Sequence, residues 1–83
     1  MAIDRNSHDQ AELLDVTGLR CPLPLLKTKK ALMDLKAGCV LKVSATDPGS
    51  QRDFQAYMEH SSHRMLDAWQ EGDVFWYLIE RGA

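Results

Sequence analysis

A cysteine closely followed by two prolines is the feature of this chain with the clearest chemical potential. The motif Cys21-Pro22-Leu23-Pro24 stands between a short apolar segment and a run with helical periodicity. Proline is tolerated in the first turn of a helix, where N–H groups have no intrahelical partner. We therefore expect a helix to start at Cys21 and its positive end to lower the pKa of the thiol. This pattern predicts a reactive thiolate, although a small buried residue ahead of a helix would also fit it.

The sequence around Cys21 lacks the partners that most cysteine chemistry requires. Pro24 stands where a thioredoxin-like motif has its second cysteine, and Cys39 follows a whole helix later, where we interpret it as a packing residue. A hydrolase needs a histidine base, and we expect His60 and His63 to lie beyond the second helix. An exposed thiol with neither a base nor a resolving cysteine is suited to reversible loading, in which it attacks the outer sulfur of a persulfide.

Other candidate sites in the sequence are weaker. His60 and His63 have no cysteine or carboxylate at metal-site spacing, so we expect no metal. The chain has no glycine-rich phosphate loop, and we expect no cofactor. Asp47 resembles a turn residue. Ser50 and Asp53 have the spacing of a capping box, and we interpret both as structural residues at a helix N-terminus.

Charge is segregated along the chain. The net charge is −2, but it is unevenly distributed. Residues 20–42 contain one acidic residue, Asp34, and the basic residues Arg20, Lys27, Lys29, Lys30, Lys36 and Lys42. A solvated helix face is the ordinary explanation for such a stretch. The functional alternative is docking of an acidic partner beside the thiol, with Arg20, Lys27 and Lys30 as contacts. The acidity of the whole chain and the absence of aromatic residues from this stretch argue against direct binding of nucleic acid.

Hydrophobic periodicity predicts four strands and two helices. The strands are expected at 12–16, 39–46, 63–69 and 74–81, and the helices at 22–36 and from residue 50 to a fading end at 61–62. A strand-helix-strand unit favours a parallel pair, and the short last loop favours a hairpin. The β-α-β-α-β-β order therefore predicts an α/β (α+β) two-layer sandwich, in which two helices cover one face of a four-stranded mixed sheet.

Length and composition predict one small domain over residues 12–83, preceded by a flexible tail over residues 1–11. No stretch reaches the roughly 20 apolar residues of a membrane span, and the polar start does not resemble a signal peptide. Two cysteines do not make a disulfide framework and fit a reducing compartment. We expect a cytoplasmic protein that is a monomer in isolation.

The segment Asp15-x-x-Gly18-Leu19-Arg20-Cys21-Pro22-Leu23-Pro24 resembles the signature of the TusA/SirA-like sulfur carriers. The segment 47–53 is similar to the Asp-Pro-x-x-x-x-Asp sequence that opens the family's second helix, and the resemblance covers residues 12–83. It implies a sandwich like the C-terminal domain of a translation initiation factor. It also implies that Cys21 bears the sulfur, and that Asp15, Gly18, Pro22 and Pro24 position the thiol.

The resemblance further implies that Cys21 receives persulfide sulfur from a cysteine desulfurase and passes it to a downstream sulfur-relay protein. In several members of the family this relay leads to 2-thiouridine in tRNA, whereas others feed sulfur oxidation or molybdenum-cofactor pathways. The family has no requirement for a cysteine at position 39, and we assign Cys39 no function. A regulatory or interaction module without covalent sulfur, or an RNA-binding module, would also be compatible with the fold, because fold does not determine function.

Overall fold

The computed structural model describes residues 11–83, which form an α+β sandwich. The elements are β1 (Glu12–Val16), α1 (Leu23–Met33), β2 (Val40–Ala45), α2 (Ser50–Glu59), β3 (Arg64–Glu71) and β4 (Val74–Glu80). This order confirms the predicted β-α-β-α-β-β fold, and the first strand has the predicted bounds. The flexible tail predicted for residues 1–11 lies, apart from Ala11, outside the described residues.

The four strands form one mixed sheet in the order β1-β2-β4-β3. Strands β1 and β2 are parallel, with Glu12 beside Leu41 and Val16 beside Ala45. Strand β4 pairs antiparallel with both β2 and β3. Because β1 and β2 are parallel, their carboxyl ends lie at the same edge of the sheet, and the loops that follow them start close together. This edge is where the candidate site forms.

The core lies between one face of the sheet and the two helices. Alternate residues of β2 and β4 face the helices, which contribute Leu32 from α1 and Phe54 from α2. The ring of Phe54 stacks on that of Tyr77 with 4.2 Å between centroids. Both side chains are almost fully buried. The N-terminal part of α2 is therefore held against β4 by an aromatic pair, which sets the position of every residue in that part of the helix.

Helix α1 is shorter than the predicted 22–36 segment. Pro22 has non-helical backbone angles, and the Leu23 N–H donates to the Arg20 carbonyl over 2.8 Å, so a turn precedes the helix. At the other end, the Arg81 Nε donates to the Leu32 carbonyl over 3.1 Å, which provides a partner for a carbonyl in the last turn. Leu26 and Met33 are 50% and 76% exposed, so both lie outside the buried face of the helix.

The capping box predicted at the start of α2 is wrong. Ser50 is the first residue of the helix, Gly49 occupies the N-cap position, and no side chain makes a capping hydrogen bond. The Ser50 hydroxyl is buried and instead forms a 2.8 Å hydrogen bond with the Tyr77 hydroxyl. A buried hydroxyl needs a partner, and the stacking of Phe54 on Tyr77 brings one within reach. Asp53 is consequently available for another contact.

Smaller differences concern the remaining strands. Strand β3 extends to Glu71, because Gly72, with φ of 60°, allows a two-residue turn in the β3–β4 hairpin. Trp69 and Trp76 stack with 6.0 Å between centroids on the face of the sheet away from the helices. Cys39 precedes β2 and is exposed, so its interpretation as a packing residue is wrong. Its backbone is held by Lys36 and Arg81, and its side chain is left at the surface.

Candidate functional site

The site is built from the two loops that follow the parallel strands. The backbone N–H of Gly18, after β1, donates over 2.8 Å to the hydroxyl of Thr46, after β2. Gly18 has φ of 82°, a backbone conformation that glycine adopts without strain. This cross-link joins the chain ahead of Cys21 to the chain ahead of α2. The sequence places these loops far apart, and the parallel pairing brings them together.

Asp15 organises the turn that leads to Cys21. Its Oδ1 accepts hydrogen bonds from the backbone N–H and the hydroxyl of Thr17, at 2.9 and 2.7 Å, and from the hydroxyl of Ser44 at 3.1 Å. These hydrogen bonds, those from Thr17 first, lower the pKa of the Asp15 carboxyl, because they stabilise the charged form. Asp15 and Gly18 therefore contact the turn and the neighbouring strand rather than the thiol.

Cys21 lies against the first turn of α2. Its thiol donates to Oδ2 of Asp53, with 2.7 Å between Sγ and the oxygen. Gly49 leaves room for the Asp47 carboxylate beside this pair, because a Cβ at position 49 would lie 2.8 Å from an Asp47 oxygen, whereas it would be in ordinary contact with the Cys21 sulfur at 3.8 Å. Cys21 itself remains exposed. The Cys21 sulfur is thus accessible from solvent and in contact with a carboxylate.

A second carboxylate lies close to this pair. Oδ2 of Asp47 is buried and has no hydrogen-bond partner within residues 11–83. The negative charge of Asp47 acts on both Cys21 and the Tyr77 hydroxyl. Burial raises the pKa of Tyr77, the hydrogen bond with Ser50 opposes that rise, and the charges of Asp47 and Asp53 add to it. The floor of the site is therefore lined by the carboxylates of Asp47 and Asp53.

The pKa of the Cys21 thiol is raised, so the predicted lowering by the helix terminus is wrong. The hydrogen bond to Asp53 is the main cause, followed by desolvation and by the charges of Asp53 and Asp47, while Arg52 acts in the opposite direction. The first turn of α1 offers few donors to stabilise a thiolate. Pro22 and Pro24 have no N–H, and the Leu23 N–H is used by the Arg20 carbonyl. The resting site therefore favours a protonated thiol.

The hydrogen-bond partner of the thiol is a carboxylate and not a histidine. Asp53 contacts the thiol, whereas the two histidines lie elsewhere. His60 is the C-cap residue that follows α2, and His63 Nδ1 accepts a hydrogen bond from the Gly82 N–H. The Asp-Pro-x-x-x-x-Asp segment signalled Asp53 in the sequence, but capping-box spacing alone could not distinguish a cap from a thiol partner.

An exposed face of α1 extends from the thiol. Lys27 and Lys30 are exposed on it, and Arg20 is exposed just ahead of Cys21. Leu23 and Leu26 are 45% and 50% exposed. The helical residues of this group have the spacing of one continuous helix face. We call Arg20, Leu23, Leu26, Lys27 and Lys30 the α1 face. Its two leucines are not among the partner contacts predicted from the sequence, which are all cationic.

The described part of the chain, residues 11–83, brings together no group of three or more His, Cys, Asp or Glu side chains suited to a metal ion. None of its helices has the length and apolar character needed to cross a membrane. Cys21 and Cys39 are both free thiols.

Comparison with known proteins finds similarity over almost the whole described region. Residues 12–81 match the model of the family described as Sulfurtransferase TusA. A relative from Neisseria meningitidis serogroup A is 47% identical over 70 residues, which is 84% of this chain and 95% of the relative. Sulfur carrier protein TusA of Allochromatium vinosum is 44% identical over 68 residues, which is 82% of this chain and 90% of that protein.

A solved structure agrees with these sequence matches. The crystal structure of the SirA-like protein of Desulfitobacterium hafniense superposes with a TM-score of 0.73 at 27% identity. The match covers 86% of this chain and 97% of that protein. The similarity thus extends from the sequence to the arrangement of strands and helices.

Proposed function

This chain belongs to the TusA sulfurtransferase family, and we propose that it carries sulfur as a persulfide on Cys21. The observation that supports this function best is the position of the thiol. It is exposed at the sheet edge where the two parallel strands end, and it lies beside an exposed helix face. A carrier must present one sulfur to two partners in turn. An accessible thiol beside a shared docking surface meets that need.

The proposed reaction is the transfer of one sulfur atom between thiols. Cys21 attacks the outer sulfur of a persulfide on a cysteine desulfurase, and the donor leaves as a thiol. The loaded Cys21 persulfide then gives its outer sulfur to a downstream relay protein. The end use that we propose is 2-thiouridine in tRNA, the route that the sequence resemblance implies for several members. Two free thiols suit a reducing cytoplasm for this chemistry.

Intact mass measures this function directly. The chain is incubated with a cysteine desulfurase and cysteine, and we expect its mass to rise by one sulfur atom. Dithiothreitol should remove that sulfur, because a persulfide is reduced by thiols whereas an oxidised sulfinate is not. Desulfurase without cysteine is the control. A mass that stays constant with an active desulfurase would refute the carrier function.

We further propose that the α1 face is the docking surface for the donor. Its leucines can pack against an apolar patch, and its cations can attract an acidic surface around the donor's persulfide. Most of the energy of such interfaces comes from a few residues that become fully buried, while peripheral charges act chiefly on the rate of association. The two kinds of residue on this face therefore have separable effects.

Reversing the charge of Lys27 and Lys30 should slow association with the desulfurase. We expect Lys27→Glu with Lys30→Glu to reduce the loading rate about tenfold at low salt and to weaken its dependence on ionic strength. Loading is followed by intact mass between low and physiological salt. Lys36→Glu is the matched control for each of the two single reversals, because the charge change is then equal and Lys36 is exposed beyond the far end of α1. Equal losses in the control and in the single reversals would assign the effect to net charge rather than to this face.

A further inference from the structure

The contact between Cys21 and Asp53 bears on how the sulfur transfer begins. A thiol must lose its proton before or during attack on sulfur, because the thiolate is the nucleophile. Here the thiol contacts a carboxylate, and the Asp47 carboxylate lies nearby. This environment opposes a preformed thiolate. An acceptor that already contacts the thiol can take the proton as the attack proceeds.

We propose that Asp53 is the proton acceptor for Cys21 during persulfide transfer. This inference rests on the proposed function, since it concerns the first step of sulfur loading. The Cys21 sulfur and Asp53 Oδ2 are 2.7 Å apart, so the proton can move along an existing hydrogen bond. Asp53 lies in the first turn of α2, which the buried pair of Phe54 and Tyr77 holds in position.

The charged groups around the thiol support this assignment. Asp47 lies in the loop after β2, Arg52 is the residue before Asp53 on α2, and Arg20 precedes Cys21. The charged group that accepts a hydrogen bond from the thiol is Asp53. The Tyr77 hydroxyl is engaged with Ser50. Asp53 is therefore the group with both the contact and the chemical capacity to accept the proton.

The complete step conserves atoms, electrons and protons. The Cys21 sulfur forms a bond to the outer sulfur of the donor persulfide, and the sulfur–sulfur bond of the donor breaks. The electron pair of the broken bond stays on the donor's inner sulfur, which leaves as a thiolate. Asp53 takes the Cys21 proton during attack and returns it to that leaving thiolate. The products are a Cys21 persulfide and a donor thiol, with no added oxidant or reductant.

The variant Asp53→Asn separates proton acceptance from simple charge effects through two readouts. The first is loading by glutathione persulfide, followed by intact mass. We expect its rate to fall at least about tenfold, because the amide cannot accept the proton. The second is alkylation by iodoacetamide, which measures the thiolate population. We expect its rate at neutral pH to rise several-fold, because removal of the carboxylate lowers the thiol pKa.

The opposite signs of the two changes provide the test. If both rates rise, Asp53 merely suppresses the thiolate, and the proposal is overturned. If both fall with an unchanged melting temperature, Asp53 only orients the thiol, and the proposal is again overturned. Glu59→Gln is the matched control, because it removes an exposed carboxylate from the last turn of the same helix. It should leave both rates unchanged.

A second variant decides the matter if Asp53→Asn does not fold. In Asp53→Ala, added acetate can replace the missing carboxylate. We expect the loading rate to increase with acetate concentration, and a rate independent of acetate would overturn the proposal. Wild-type protein that is not loaded at all would instead refute the carrier function. Failure of the carrier function and failure of this inference are therefore distinguishable.

Discussion

Replacement of Cys21 by serine is expected to abolish sulfur loading completely. The serine hydroxyl cannot form the sulfur–sulfur bond of a persulfide, so no mass gain should follow treatment with desulfurase and cysteine. Cys39→Ala should still gain one sulfur atom. Both cysteines are exposed, so accessibility alone does not distinguish them. We expect only Cys21 to be loaded because the two cysteines occupy different positions relative to the sheet.

Cys21 and Cys39 lie at opposite ends of β2. Cys39 precedes the strand, whereas Cys21 lies beside the loop that follows it. A strand of 6 residues spans about 20 Å, so a donor docked to deliver sulfur to Cys21 would not reach Cys39 in the same pose. A mass gain that persists in Cys21→Ser and disappears only when Cys39 is also replaced would contradict this assignment.

Truncation of Phe54 to alanine is expected to cost the most stability of any single change in α2. Phe54 is 1% exposed and stacks on Tyr77, so its removal leaves a cavity between the helix and the sheet. Such truncations cost about 3–5 kcal/mol, which is a large part of the roughly 5–15 kcal/mol that stabilises a typical domain. Urea denaturation followed by circular dichroism measures the loss.

Gln55→Ala is the matched control for this change. Gln55 is exposed and adjacent on the same helix, so its truncation should change the free energy of unfolding by no more than about 0.5 kcal/mol. The Phe54→Ala protein that remains folded should also load sulfur more slowly, because Asp53 is the preceding residue and depends on the same packing. A loss below about 1 kcal/mol would show that the aromatic pair does not hold α2 on the sheet.

The sequence alone was sufficient to predict the fold of this protein and to single out Cys21 as its candidate sulfur-bearing residue. Periodicity reports which face of each element is apolar, and that pattern is local, so the strands, helices and their order were recovered. The Cys21-Pro22-Leu23-Pro24 motif and the Asp-Pro-x-x-x-x-Asp segment are likewise visible as neighbouring residues. Helix ends were less accurate, because the turn before α1 and the contact of Arg81 with Leu32 involve residues outside the helical pattern.

The tertiary structure decided the electrostatics of the site. Cys21 and Asp53 are separated by 32 positions in the chain, and the parallel pairing of β1 with β2 brings their loops to one edge. The spacing of Ser50 and Asp53 satisfies a capping box equally well, and the choice depends on Tyr77, which belongs to the last strand. The pKa of a thiol depends on the groups within a few ångströms of it. Those groups come from separate segments, so the fold turned an expected thiolate into a thiol that donates to Asp53.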